Sequence, residues 1–163
     1  MTRMSRIVVA WTLLLAVGAV PVFADAACKP VVGHFEAVGV LPGEGHCPDV
    51  PGTFCTAGRV WGGIQGHYEF VMTNTTPSVL MGGVPTVIFF TGKSTIFVKR
   101  GDVLLGTDTG AIDVPPGLGG FASLITFDGG TGAMVGATGQ IRLRGELIEG
   151  TTSGDYVGTL CTP

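Results

Sequence analysis

Residues Gln140–Ile148 read QIRLRGELI. Ile141, Leu143 and Leu147 fall on one side of this run, and Gln140, Arg142, Arg144 and Glu146 on the other. That period of two marks a strand with one buried face and one wet face. Working outward, Val32–Val40 sets His34, Glu36 and Val38 against Phe35 and Ala37. Thr56–Gly63 and Ile64–Asn74 read as a strand pair, the second with Tyr68, Phe70 and Met72 on one face. Pro85–Gly92 and Ser94–Arg100 are apolar and β-branched, with Gly101-Asp102 as a turn signal after them. Asp102–Thr107, Gly110–Val114, Phe121–Phe127 and Gly154–Cys161 complete the series. The expectation is an all-β chain of about eight short strands with no helical period after residue 26.

Composition points the same way. The chain has 163 residues, 28 of them Gly, with 13% charged and a formal net charge of -3. Glycine at this density excludes a helical bundle, since each helical Gly costs about 1 kcal/mol relative to Ala. The glycines follow no triplet period, which excludes collagen. The acidic balance and the lack of a Lys/Arg cluster argue against nucleic acid as a partner. Antiparallel strands of this size remove their edges by closing a barrel or by stacking as a sandwich. Gly58, Gly62, Gly63, Gly66, Gly92, Gly139 and Gly145 interrupt strand patterns as barrel bends do, so a single small antiparallel β-barrel is favoured.

The first segment reads as an address. Arg3 and Arg6 precede the apolar stretch Ile7–Val20, and Ala24-Asp25-Ala26 supplies small residues at a cleavage site. The stretch is about 14 residues, short of the ~20 that cross a bilayer. Residues 1–26 are expected to be a signal peptide and 27–163 the barrel domain, exported to the periplasm or the extracellular space. Lipidation of Cys28 is the alternative, disfavoured by Asp25 where an aliphatic residue is usual. Cys28, Cys47, Cys55 and Cys161 all follow the cleavage site. Four cysteines allow three pairings in an oxidising compartment. Cys47–Cys55 would staple a Pro/Gly loop, and Cys28–Cys161 would join the two ends that a closed barrel brings together. No CxxC spacing suggests zinc or redox chemistry.

The stretch Gly129–Leu143, GGTGAMVGATGQIRL, resembles the GGTG-x-F-x-x-A-x-G signature of dirigent proteins and of the related allene oxide cyclase barrels, with Met134 at the aromatic position. Cys55–Phe70, CTAGRVWGGIQGHYEF, resembles exported bacterial proteins carrying such a domain. The resemblance implies an eight-strand barrel that binds a hydrophobic small molecule and steers its reaction: cyclisation of an unstable epoxide in the cyclases, guided radical coupling in the dirigent proteins. It also allows a homo-oligomer, the cyclases being trimeric. It carries no functional polar residue onto this chain.

Two echoed segments are candidates for chemistry of their own. Gly33-His34-Phe35-Glu36 and Gly66-His67-Tyr68-Glu69 each place a His beside a Glu on one strand face. Together His34, Glu36, His67 and Glu69 could form a metal cluster or an acid–base pair. The plainer expectation is that the aromatics point inward and the His/Glu pairs stay wet. Asp102, Asp108, Asp113 and Asp128 read as turn residues, and Ser123 lacks a nucleophile-elbow context. No cofactor is expected. The leading function is binding of a small hydrophobic ligand inside the barrel. An isomerase or cyclase, and a structural or protein-interaction barrel, are the alternatives.

Overall fold

A computed structural model describes residues 27–78, 80–81, 84–98 and 101–163; the expected signal segment 1–26 lies outside them. The chain forms β1 (Ala27–Val40), β2 (Cys55–Gly62), β3 (Gly66–Pro77), β4 (Leu80–Met81), β5 (Val84–Pro85), β6 (Val87–Val98), β7 (Val103–Asp113), β8 (Gly120–Gly130), β9 (Thr138–Ile148) and β10 (Thr151–Thr162). Eight strands close an antiparallel barrel in the order β1-β10-β9-β8-β7-β6-β3-β2, and β4 and β5 pair separately between β3 and β6. No helix among the described residues is long and apolar enough to cross a membrane.

Closure comes from β1 against β10, paired from Ala27 opposite Thr162 to Val38 opposite Thr151. Cys28 lies directly opposite Cys161, and the two are disulfide-bonded; Cys47 and Cys55 form the second bridge. Those are the pairings expected from the sequence. In the chain-entropy picture, closing a loop of this length stabilises by roughly 4–5 kcal/mol. Two disulfides fit an oxidising location outside the cytoplasm.

Alternation sorts the residues as QIRLRGELI promised. Ile141 and Leu143 are buried, while Arg142 and Arg144 face water. Phe35, Val60, Tyr68, Phe70, Ile96, Leu104, Ile125, Phe127 and Tyr156 complete most of the core inside the barrel. Two expectations change. Pro85–Gly92 and Ser94–Arg100 belong largely to one strand, β6, because Lys93 between them points outward to the Thr107 hydroxyl at 2.9 Å and interrupts nothing. Asp102–Thr107 and Gly110–Val114 likewise merge into β7.

The two barrel ends differ. At one end the Gly129–Gly139 signature folds over the opening. Ala137 is fully buried and Met134 packs on the core, while Thr131 accepts the Val103 N–H at 2.9 Å. Gly132 and Gly139 take φ of 56° and 124°, conformations that L side chains rarely adopt. The hydroxyl of Tyr156 accepts the Ile64 N–H at 2.7 Å and seals the same end. The opposite end carries the loops after β1, β3, β7 and β9 and holds the cavity described below.

Inside the barrel, large residues lie on small ones. The Phe70 ring occupies the space that a Cβ at Gly92 would fill. Gly92→Ala is expected to destabilise the protein by about 1–3 kcal/mol through overpacking. Gly120→Ala, where a Cβ meets nothing within 4 Å, should change stability by no more than about 0.5 kcal/mol. Urea unfolding of the two variants against wild type checks this; equal effects would overturn the packing account.

Candidate functional site

Around Asp108 the inward face of β7 runs Leu104, Gly106, Asp108, Gly110, Ile112. Asp108 stands opposite Gly92 of β6, so three glycines surround its inward-pointing carboxyl. The space they release is taken by neighbours: Phe70 over Gly92, Ile125 against Gly106, and Phe90 over Gly110. Asp108 is only 2% exposed and is the one buried charged side chain among the described residues.

Its partners are hydroxyls. Ser94 of β6 donates to Asp108 Oδ2 at 3.3 Å, and the Tyr68 hydroxyl of β3 lies 3.3 Å from Ser94 Oγ. These are long for O–H···O bonds, which usually fall near 2.7–2.8 Å. Asp108 Oδ1 has no hydrogen-bond partner among the described residues. Burial pushes the Asp108 carboxyl up to about 6, against a smaller opposing pull from the Ser123 and Ser94 hydroxyls. Burial, and then the nearby Asp108 charge, also hold the Tyr68 phenol well above its usual range.

Above this carboxyl lies a cup of about 50 Å³, open at the end away from the glycine signature. Its wall is aromatic: Phe35, Phe54, Phe70, Phe90 and Phe121, with Met72 beside them. The rings pack edge to face, Phe70 on Phe90 at 5.7 Å and Phe35 on Phe121 at 5.8 Å between centroids. Phe54, Met72, Phe90 and Phe121 are partly exposed at the rim, and the loop stapled by Cys47–Cys55 leads into β2 beside Phe54.

The four residues singled out from the sequence lie elsewhere, on the outer wall. His34 Nδ1 meets Asp155 Oδ1 at 2.5 Å and its ring lies against Trp61. Glu36 is exposed, opposite Arg59 and Ser153. His67 Nε2 is 3.4 Å from Glu69 Oε1, and His46 approaches the same oxygen at 3.8 Å. His34 and His67 thus meet different carboxylates, and β2 lies between their strands. Among the described residues no group of three or more His, Cys, Asp or Glu is arranged to hold a metal ion.

Sequence reasoning missed Asp108. It read the residue as part of a turn, but it sits in the middle of β7 and points inward. Ser94 and Tyr68 were visible only as strand residues, and Ser123 only as a serine without a nucleophile-elbow context.

A larger concavity, about 990 Å³, lies outside the barrel across β8, β9, β10 and β1. Val32, Leu124 and Val157 line it with Arg142 and Arg144. Neither arginine has a carboxylate within 4 Å among the described residues.

The sequence matches no family model and no curated protein. Among solved structures the chain is similar to that of the pterocarpan synthase dirigent protein GePTS1, at 12% identity and a TM-score of 0.48, covering 86% of this chain and 87% of that one.

The raised carboxyl pKa makes stability depend on pH with a definite sign. In the unfolded chain Asp108 titrates near 3.8, and in the fold near 6. The folded state holds the proton more tightly, so the favourable contribution is full below pH 3.8 and is lost as pH rises through 6. The loss approaches about 3 kcal/mol, since each tenfold difference in proton affinity is worth about 1.4 kcal/mol. Unfolding free energies of wild type and Asp108→Asn, measured between pH 3.5 and 7.5, should diverge over that window, with wild type falling relative to the variant. Parallel profiles would contradict the burial of an ionisable carboxyl.

Proposed function

We propose that the protein is an exported binding barrel that takes a small, largely apolar molecule into the cup at its open end. The observation that carries this reading is Asp108: a buried carboxyl with one unpaired oxygen at the base of an aromatic wall. Apolar walls with a few convergent polar groups are the usual make-up of ligand sites. In such a site the rings supply contact area, and Asp108, Ser123 and Tyr68 orient the polar end of the ligand. The cup is smaller than the ~300–1,000 Å³ of most ligand pockets. A ligand therefore inserts one end and displaces the partly exposed rim side chains Phe54, Met72 and Phe90. Cleavage after Ala26 would release the barrel into the periplasm or the extracellular space, where both disulfides persist.

A second reading is supported by the outer groove, whose volume is far larger and whose two arginines have no carboxylate within 4 Å among the described residues. There the barrel would be a scaffold that presents β8–β10 and β1 to another protein or to a second copy of itself.

Titration with an apolar dye that fluoresces when shielded from water separates the two. Thr152→Trp fills the cup from β10, and Arg142→Glu with Arg144→Glu reverses the groove charge. The first reading expects at least tenfold weaker dye binding in Thr152→Trp, with its circular dichroism unchanged, and no change in the arginine variant. The reverse pattern would overturn it in favour of the groove.

A further inference from the structure

We infer that the cup takes an organic cation, an ammonium head lying between the Asp108 carboxylate and the rings of Phe70 and Phe90, with the apolar remainder toward the rim. This rests on the reading of the cup as a ligand site and names the ligand's chemical class.

Three observations converge on it. The first is the unpaired oxygen. Asp108 Oδ1 is fully enclosed and has no hydrogen-bond partner among the described residues, the Ser123 hydroxyl lying near enough to lower the carboxyl's pKa but outside hydrogen-bond geometry. A buried acceptor left unpaired is unfavourable, and a buried anion without a counter-charge more so. The second is the absence of a cation to answer it. Around Asp108, β6 contributes Ser94, β8 contributes Ser123 and Ile125, and β3 contributes Tyr68. No Lys, Arg or His is among the buried residues described. Tyr68 is the one other titratable group facing Asp108, and burial keeps it neutral.

The third is the wall. Aromatic faces carry the negative side of a quadrupole and attract a cation over the ring. Phe70 and Phe90 are among the rings that line the cup. A neutral apolar ligand satisfies such a wall but leaves Asp108 unpaired, and an anionic ligand is repelled by both. The free volume of about 50 Å³ is also of the size of a compact head group, with no room for a long chain. One or two waters are the competing occupant, because Asp108 and Ser123 give a space of this volume polar partners at its base.

Binding of such a cation should depend on pH through Asp108. Protonation near pH 6 removes the negative charge while an alkylamine stays positive. Affinity should therefore fall by about tenfold from pH 7 to pH 5.

Calorimetric titration of the disulfide-bonded protein at pH 7.5 with benzylamine, benzyl alcohol and benzoate tests the class of ligand. These three share a ring and differ in the charge of the head. The inference expects benzylamine to bind at least tenfold more tightly than benzyl alcohol, and benzoate not to bind. Asp108→Asn should abolish the preference for the amine over the alcohol. Equal binding of amine and alcohol, or a preference that survives in Asp108→Asn or is unchanged at pH 5, would overturn the cation while leaving the apolar cup intact. Failure of all three probes, together with no dye binding, would overturn the cup itself. The pH dependence is read on wild type, so the test does not depend on the variant folding.

Discussion

The interior of an eight-strand barrel is about as wide as the side chains that fill it, so an inward-pointing ring has to meet a neighbour that has almost no side chain. This constraint runs through the structure. Tyr156 lies against Gly33, Phe70 on Gly92, and Phe90 on Gly110, and in each case a Cβ would overlap the ring. The chain's glycine content is thus partly a set of seats for aromatic rings. Another part lies in turns, those of the closing signature among them, where φ is positive.

The same constraint explains how an ionisable group comes to be buried. Where β7 presents Gly106 and Gly110 on either side of Asp108, rings and Ile125 from neighbouring strands lean into the vacated space and cover the carboxyl. Packing that accommodates the rings removes water from Asp108. The result is a carboxyl that titrates near 6, supported by long hydroxyl contacts and left with a free oxygen. A group arranged for stability alone would have its hydrogen bonds complete, so this incompleteness is the reason to read the cup as a site.

Much of the architecture was legible from the residues. In Gln140–Ile148, Ile and Leu alternate with Arg and Glu so cleanly that the two faces of β9 sort themselves. Tyr68 and Phe70 faced inward, with His67 and Glu69 outward, for the same reason. The cysteine pairing followed from the position of two cysteines at the ends of a closing barrel. β7 was not legible, because alternation is detected from apolar side chains and its inward face alternates glycine with aspartate. A polar residue between two glycines looks like a turn, and only the register with β6 and β8 shows it to be inside. The His/Glu pairs drew notice because they are polar and periodic, which is also what an outer wall looks like. The GGTG signature indicated a barrel but lies at the end away from the cup, so it holds no information about a ligand.

Asp108 is an ionisable carboxyl buried beneath an aromatic cup. The most direct measurement is the titration of its carboxyl carbon by NMR in the ligand-free, disulfide-bonded protein. Its burial predicts a midpoint near 6. A midpoint at or below about 4, the value of an ordinary solvated aspartate, would contradict it.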